Sequence, residues 1–313
     1  MNDVKVDRVP AGARVCAVVV TYHPDQSLPE RVHRVLPQVA AAVIVDNGST
    51  GEGLRAVRAI PQGPTLELIL NGENLGIARA LNIGIRHARA AGFSFALLLD
   101  QDTLVDPDMV ERLAATYASC GDPGHVAAVG SRFRDPNGPA GDSIRLAAHE
   151  SIRLAAQGAD WQEVESVITS GTLLILDVHE RVGPFRDDFF IDYVDTEYCL
   201  RARAAGFRIV ETQRPLMSHT VGAPTAHRLF GATTWTSNHS PNRRYYIARN
   251  NTVLLREYGT SGRGPWQWKS FVRCLRLCKR IAYFERDKLD KIGAVAQGWW
   301  DAMRGRMGPR PHR

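Results

Sequence analysis

The chain has 313 residues, 44% of them hydrophobic and 23% charged, an ordinary composition for a globular protein with a full apolar core. No run of about 18 apolar residues occurs, so a membrane-spanning helix is not expected, and Met1–Arg14 lacks the apolar stretch of a secretory signal. The net charge of +6 is uneven: from Thr260 onward 13 Lys and Arg face 4 acids, while the rest of the chain carries −3.

Val15–Thr21 (VCAVVVT) reads as a buried strand, followed by a turn at Tyr22–Pro24 and a helix carrying Leu28, Val32, Val35 and Val39. Ala42–Asp46 is a second strand that ends in the turn Asn47-Gly48-Ser49, and Leu66–Leu70 is a third. A helix is predicted over 75–91, a fourth strand over Phe95–Asp100, a helix from about Pro107 and a fifth strand over Val126–Gly130. Strands alternating with helices imply a parallel sheet with helices on both faces, and ligands bind such sheets at the carboxyl ends of the strands. Thr21-Tyr22, Asp46 and Asp100-Gln101-Asp102 all fall at those ends. The segment 131–165 is less regular and repeats SIRLAA at 143–148 and 151–156, a spacing too short for a solenoid. Beyond it come a strand over 167–176, a helix over 194–205 stopped by Gly206, a strand over 207–211, and helices over 241–258 and 266–284.

Five clusters carry candidate chemistry. Asp100-Gln101-Asp102 follows LLL, and two carboxylates at a strand exit can hold a hard cation such as Mg²⁺ or Mn²⁺; the plain alternative is a solvated turn. Asp46, in VDNGS, can accept a hydrogen bond from a pyrimidine imide, or serve only an Asx turn. Asp192 and Asp195, in FFIDYVDTEYCLR, can act as a general base or cap the helix that follows. His219 can be a third metal ligand, although a lone histidine is more often structural. In RRYYIARNN, Arg243, Arg244 and Arg249 are candidate phosphate binders, with helical spacing dividing them between faces. The cysteines are odd in number (16, 120, 199, 274 and 278) and form no CxxC pair, which disfavours disulfides and a zinc site and fits a reducing cytoplasm.

Taken together, VVVTYHPD, VIVDNGS, NLGIARALNIGI, LLLDQD, SGTLLILDV, FIDYVDTEYCLRARAAGF, SHTVG, RRYYIARNN and AQGWWDAMRGRMG resemble the family 2 glycosyltransferases, in particular their bacterial rhamnosyltransferase branch, from about Val15 to Gly308. The resemblance implies an α/β GT-A fold: a Rossmann-like, mostly parallel central sheet with helices on both faces, plus a C-terminal helical extension. The catalytic domain would cover 1–258, with a nucleotide-binding half at about 14–130 and an acceptor half at about 131–258, and residues 259–313 would form a basic amphipathic helical tail. It also implies inverting, metal-dependent transfer of L-rhamnose from dTDP-β-L-rhamnose to a glycan or a polyprenyl-diphosphate-linked glycan in cell-envelope polysaccharide synthesis. Thr21 and Tyr22 would line the nucleotide pocket, Asp46 would read the pyrimidine, and Asn74, Gly76, Arg79 and Asn82 would support the nucleotide and diphosphate. Asp100 and Gln101 would lie against the donor, Asp102 would be the direct metal ligand, and His219 would complete the metal site. Ser170 and Gly171 would shape the sugar pocket, Arg243 and Arg249 would contact the donor, and Asp195 would be the base. Many relatives carry Glu-Asp where this chain has Val194-Asp195, which leaves Asp192 and Asp195 both open for that role, and Tyr22-His23 replaces the commoner Tyr-Asn.

In the tail, Phe271, Leu275, Cys278 and Ala282 share one helical face, and Lys269, Arg273, Arg276 and Arg280 share another, with Trp266 and Trp268 at the start. Such a helix can lie in an anionic membrane interface, placing the protein at the inner face of the plasma membrane, or its apolar stripe can pack on the catalytic domain. A nucleic-acid-binding protein would leave the strand-end acids without a use, and no nucleic acid is expected. A nucleotidyltransferase would want a glycine-rich phosphate loop where TYHPDQS stands. A UDP-sugar donor is the serious rival, because metal and base motifs do not encode the sugar.

Overall fold

The computed structural model describes residues 14–136, 160–220, 225–229, 232–236, 238–259 and 266–311. The SIRLAA repeat lies outside them. Four strands form the first half of the sheet: β1 (Val15–Thr21), β2 (Ala41–Asp46), β3 (Leu66–Leu70) and β4 (Phe95–Asp100). All four run parallel in the order β3-β2-β1-β4. Every residue of β1 is buried, as a parallel strand covered on both faces requires. The covering helices are α1 (Leu28–Val35), α2 (Gly51–Arg58) and α3 (Ile77–Ala90). The register pairs Thr21 with Asp46 and Val20 with Asp100, so the three strand ends stand level at one edge of the sheet.

The second half departs from the expected parallel pattern. After the two-residue β5 (Leu104–Val105) and α4 (Met109–Ser119), the chain enters β6 (Val126–Arg134) and β7 (Trp161–Glu163). The strand expected over 167–176 is only β8 (Thr172–Ile175), which runs antiparallel between β4 and β6, and its last predicted residue, Leu176, already begins α5 (Leu176–Val182). After α6 (Val194–Ala204), β9 (Arg208–Ser218) pairs parallel with β6 and antiparallel with both β5 and β7. The sheet is therefore mixed, in the order β3-β2-β1-β4-β8-β6-β9-β5 with β7 on β9. A separate hairpin, β10 (Thr225–Leu229) and β11 (Ala232–Thr236), follows. The division at residue 130 falls inside β6, so the two expected halves share one sheet.

Nor is residue 258 a packing boundary. The helix α7 (Pro241–Glu257) is covered by α8 (Trp266–Phe284) and by α9 (Lys288–Met303). Tyr245 of α7 donates to Asp301 of α9 at 2.9 Å, Arg244 pairs with Glu285, and Arg249 bonds the Gly308 carbonyl. The Gly308 N–H in turn donates to Asp188 O at 2.8 Å, closing the tail onto the catalytic body. The α9 backbone approaches α7 so closely at Gly298 that a Cβ there would collide with the Tyr245 carbonyl. Backbone on both sides leaves nothing to yield, so Gly298→Ala is expected to destabilise the protein by about 2 kcal/mol or more, measured by urea unfolding.

Candidate active site

The polar residues at the sheet edge divide into those that build the edge and those that face out from it. Asp46 belongs to the first group. It is 1% exposed; Oδ1 accepts from Thr21 Oγ1 at 2.9 Å and Ser49 Oγ at 2.5 Å, and Oδ2 accepts from the Ser49 N–H at 2.9 Å. These bonds form an Asx turn that engages both carboxylate oxygens, and Thr21 beside it is fully buried. The neighbouring Asn47 knits the same edge: its amide donates to Asn74 Oδ1 at 2.9 Å, and its carbonyl oxygen accepts from the Leu75 N–H at 3.1 Å. Asn74 also accepts from the Gly76 N–H at 3.0 Å and is thereby a turn residue. Gly76 has φ +84, and a Cβ there would meet the Phe190 backbone and ring. It starts α3 where the Ile77 N–H donates to Phe190 O at 2.7 Å.

Three more expected donor contacts are likewise interior. Asn82 is buried and clamps Phe185, donating to its carbonyl at 2.7 Å and accepting from its N–H at 3.0 Å. Ser170 is 1% exposed, and Gly171 lies against Met217 with no room for a side chain.

Facing outward are Tyr22, Arg79 and Asp102, with Gln101 and the acids Asp100, Asp192 and Asp195 partly buried. Tyr22 is 46% exposed, and its backbone exchanges two bonds with the Gln101 amide: N–H to Oε1 at 2.7 Å and Nε2 to the carbonyl at 3.2 Å. This exchange fixes the ends of β1 and β4 together. Arg31 adds a tie that the sequence did not single out, bonding Gln101 O at 3.2 Å while paired with Asp25. Arg79 is exposed on the first turn of α3.

Asp100, Asp102 and His219 converge, each offering one ligand atom within 4.8 Å of the others. His219 Nδ1 stands 3.1 Å from Asp102 Oδ1, and Nε2 stands 3.9 Å from Asp100 Oδ2. The separation of more than a hundred residues is closed by β5, whose Leu104 pairs with Ser218 and so delivers His219 beside the DQD turn. A hydrogen-bonded line behind the cluster runs from the Asp100 N–H to Ser170 Oγ (3.0 Å), to Thr103 Oγ1 (2.5 Å), to His219 Nδ1 (3.1 Å). Burial, opposed by His219 and reinforced by Asp102 and Asp195, pushes the Asp100 carboxyl up to about 6. Burial works against a charged His219, but its bond to Asp102 and the nearby acids raise its pKa overall. A carboxyl raised by burial and by neighbouring acids marks a site short of positive charge, and a carboxylate-imidazole donor set suits Mn²⁺ and accepts Mg²⁺.

Asp195, in the first turn of α6, accepts from the Thr169 N–H at 3.2 Å and from the Thr196 N–H at 2.7 Å. The turn that carries Ser170 thus touches both acids. Asp192 is arranged differently: its two oxygens accept from Arg243 at 2.6 and 3.3 Å, and its side chain is 11% exposed. Burial works against the Arg243 charge, yet Asp192 and Asp100 raise its pKa overall.

Phe190, Asp192 and Tyr193 all have φ near +65, a costly conformation for residues with side chains. Arg249 and Asn250 hold that loop. Arg249 is fully buried and donates to the carbonyls of Asp188 (3.0 Å) and Phe189 (2.9 Å), while Asn250 Nδ2 donates to those of Phe189, Ile191 and Asp192 at 2.8–3.0 Å. The guanidinium is therefore engaged by main-chain oxygens and by Asn250 Oδ1. Its cation stacks over Tyr246 at 4.9 Å.

The model of glycosyl transferase family 2 matches residues 16–180. Over 250 residues the chain is 30% identical to the dTDP-rhamnosyl transferase RfbF of Shigella flexneri, covering 78% of this chain and 81% of that one. This chain belongs to glycosyltransferase family 2. Among solved structures, the glycosyltransferase resembles the mannosyltransferase PcManGT of Pyrobaculum calidifontis, in complex with GDP-Man and Mn²⁺ (TM-score 0.55, 19% identity, 93% of this chain and 75% of that one). It also resembles residues 1–349 of S. aureus TarS in complex with UDP-GlcNAc (TM-score 0.53, 14% identity, 91% and 80%), and spans 44% of the longer TarS chain. These likenesses establish the GT-A fold. No helix among the described residues is long and apolar enough to cross a membrane.

Proposed function

We propose that the enzyme transfers L-rhamnose, with inversion, from dTDP-β-L-rhamnose to a glycan or polyprenyl-diphosphate-linked glycan acceptor at the cytoplasmic side of the envelope. The observation that carries the chemistry is the Asp100-Asp102-His219 cluster at the edge of the sheet, with Asp195 near enough to raise the Asp100 pKa. The identity with RfbF supports the donor. Asp102, Asp100 and His219 would hold Mn²⁺ or Mg²⁺, whose chemistry is to neutralise charge on a departing nucleoside diphosphate.

The protein's own residues do the rest. Tyr22, half exposed beside Gln101, offers a ring face for the base, and Arg79 and Arg243 offer cations to the diphosphate. Asp195 takes the proton of the acceptor hydroxyl. The freed oxygen pair attacks the anomeric carbon, and the bond from that carbon to the phosphate oxygen breaks with its electrons leaving on dTDP. A single displacement through an oxocarbenium-like state inverts the anomer, giving an α-L-rhamnoside. Asp195 is better placed for this than Asp192, because Asp192 must first break its two bonds to Arg243 before it can accept a proton.

Calorimetry with dTDP-rhamnose, dTDP and UDP-sugars, each with and without Mn²⁺ or Mg²⁺, tests the reading. Tightest binding of dTDP-rhamnose, at least tenfold weaker without a cation, is expected. Preference for a UDP-sugar would overturn the rhamnose assignment, and metal-independent binding would overturn the role of the acid cluster.

A further inference from the structure

The C-terminal helices bury one face of α8 and leave another uncovered. Ser270, Ile281 and Glu285 are buried, with Cys274, Leu277 and Cys278 packed alongside against α7 and α9. Of the apolar stripe read from the sequence, only Cys278 joins this packing. Phe271 is 43% exposed and Leu275 57%, and Trp268 on the same side is 61% exposed. The Trp266 side chain lies outside the described atoms. The stripe continues across α9: the Phe271 ring lies 6.0 Å from Trp299, which lies 6.5 Å from the half-exposed Trp300, over which the Arg304 guanidinium stacks at 4.6 Å. At the far end of α8 stands Tyr283, 67% exposed. From Trp268 to Tyr283 is about 22 Å at 1.5 Å per residue, so the aromatic side chains mark both ends of one long exposed line. Arg276, Lys279 and Arg280, all exposed, flank it.

We propose that this face of α8 and α9 is a docking surface for an anionic lipid bilayer, with α8 lying flat in the headgroup region. Two features select lipid over other occupants. Large aromatic and aliphatic side chains stand exposed in a row beside cations, the arrangement of an interfacial helix, with ring systems suited to the boundary between water and hydrocarbon. The charge is one-sided, since the exposed strip of α8 carries cations and no acid between Trp268 and Phe284, which suits an anionic leaflet. Docking there would hold the enzyme at the surface that carries a membrane-borne acceptor. That consequence rests on the proposed acceptor, whereas the docking itself does not.

The test is co-sedimentation of the full chain with vesicles of phosphatidylcholine alone and of an equal mixture with phosphatidylglycerol, without donor or acceptor. Binding to the mixed vesicles, at least tenfold weaker on pure phosphatidylcholine, is expected. Phe271→Glu/Leu275→Glu should lose at least tenfold in partitioning while keeping its melting temperature within a few degrees, because both positions are solvent-exposed. A milder variant, Arg276→Gln/Lys279→Gln, should weaken binding and flatten its salt dependence. Failure of the intact protein to bind mixed vesicles, or unchanged binding by Phe271→Glu/Leu275→Glu, overturns the proposal. So does a stable dimer in sedimentation velocity that the same double variant converts to monomer, since a second copy would then cover the face. A result in either direction leaves donor binding, read separately, to decide the enzymatic assignment.

Discussion

Asp195→Asn is expected to lower turnover by about 10²- to 10⁴-fold, the range supplied by a positioned general base. The substitution preserves shape and removes the proton-accepting charge. It also costs one local bond, because the carboxylate accepts from two N–H groups, those of Thr169 and Thr196, and an asparagine side chain has one oxygen for both. The stability loss should be about 1 kcal/mol, small enough to leave the fold in place. Donor affinity measured by calorimetry should stay within a few-fold, because Asp195 acts on the acceptor. The informative control is Asp192→Asn. Removing that charge frees Arg243 from its two-point pair, so the expected change is in donor KM. If Asp195→Asn released nucleoside diphosphate at the normal rate in the presence of acceptor while Asp192→Asn did not, the two roles would have to be exchanged.

The fold was legible where burial alone determines structure. VCAVVVT and FALLLD are apolar on both faces, and they form the central parallel strands at the bounds their composition suggests. Direction was not legible in SGTLLILDV: a short apolar run looks the same read up or down, and β8 enters antiparallel because it joins β4 to β6 across the middle of the sheet. The C-terminal extension was legible as helical but α9 was not legible as a separate element, because Gly293, Gly298 and two tryptophans disguise its pattern, although Gly298 is the residue that permits its close approach to α7.

The site divides in the same way. Residue type pointed to strand-end polar groups, but it does not distinguish a group that builds the edge from one that faces a ligand. Asp46 and Asn82 are held within it by their bonds to Ser49 and Phe185. Arg249 carried a usable signal: it follows Tyr245 by four residues and precedes Val253 by four, and both are buried on α7. On that stripe an arginine must find internal acceptors, and the strained Phe190–Tyr193 loop supplies carbonyls beside it. The convergence of His219 on Asp100 and Asp102 was expected from the family resemblance and not from periodicity, because it depends on β5 pairing with the end of β9. Two residues of edge strand are too few to read from sequence.

Asp102→Ala should have the second large effect, at least about 10³-fold on turnover, because a cation that neutralises a leaving diphosphate is worth several kcal/mol. Asp102 is 43% exposed and lies at a turn, so the melting temperature should hardly change. The decisive readout is not activity. Mn²⁺ titration followed by electron paramagnetic resonance, in the presence of dTDP, should show affinity reduced at least 100-fold. His219→Ala should be milder, because imidazole is one of three candidate ligands and Thr103 remains to hold the turn through Ser170. The two changes should also be coupled. Asp102 stands 3.1 Å from His219 and helps to orient it, so its loss already disorders the second ligand. The double variant should therefore be little worse than Asp102→Ala alone. Strict additivity would mean that the two side chains act at separate places, and unaltered Mn²⁺ affinity in Asp102→Ala would remove the cation from this cluster altogether.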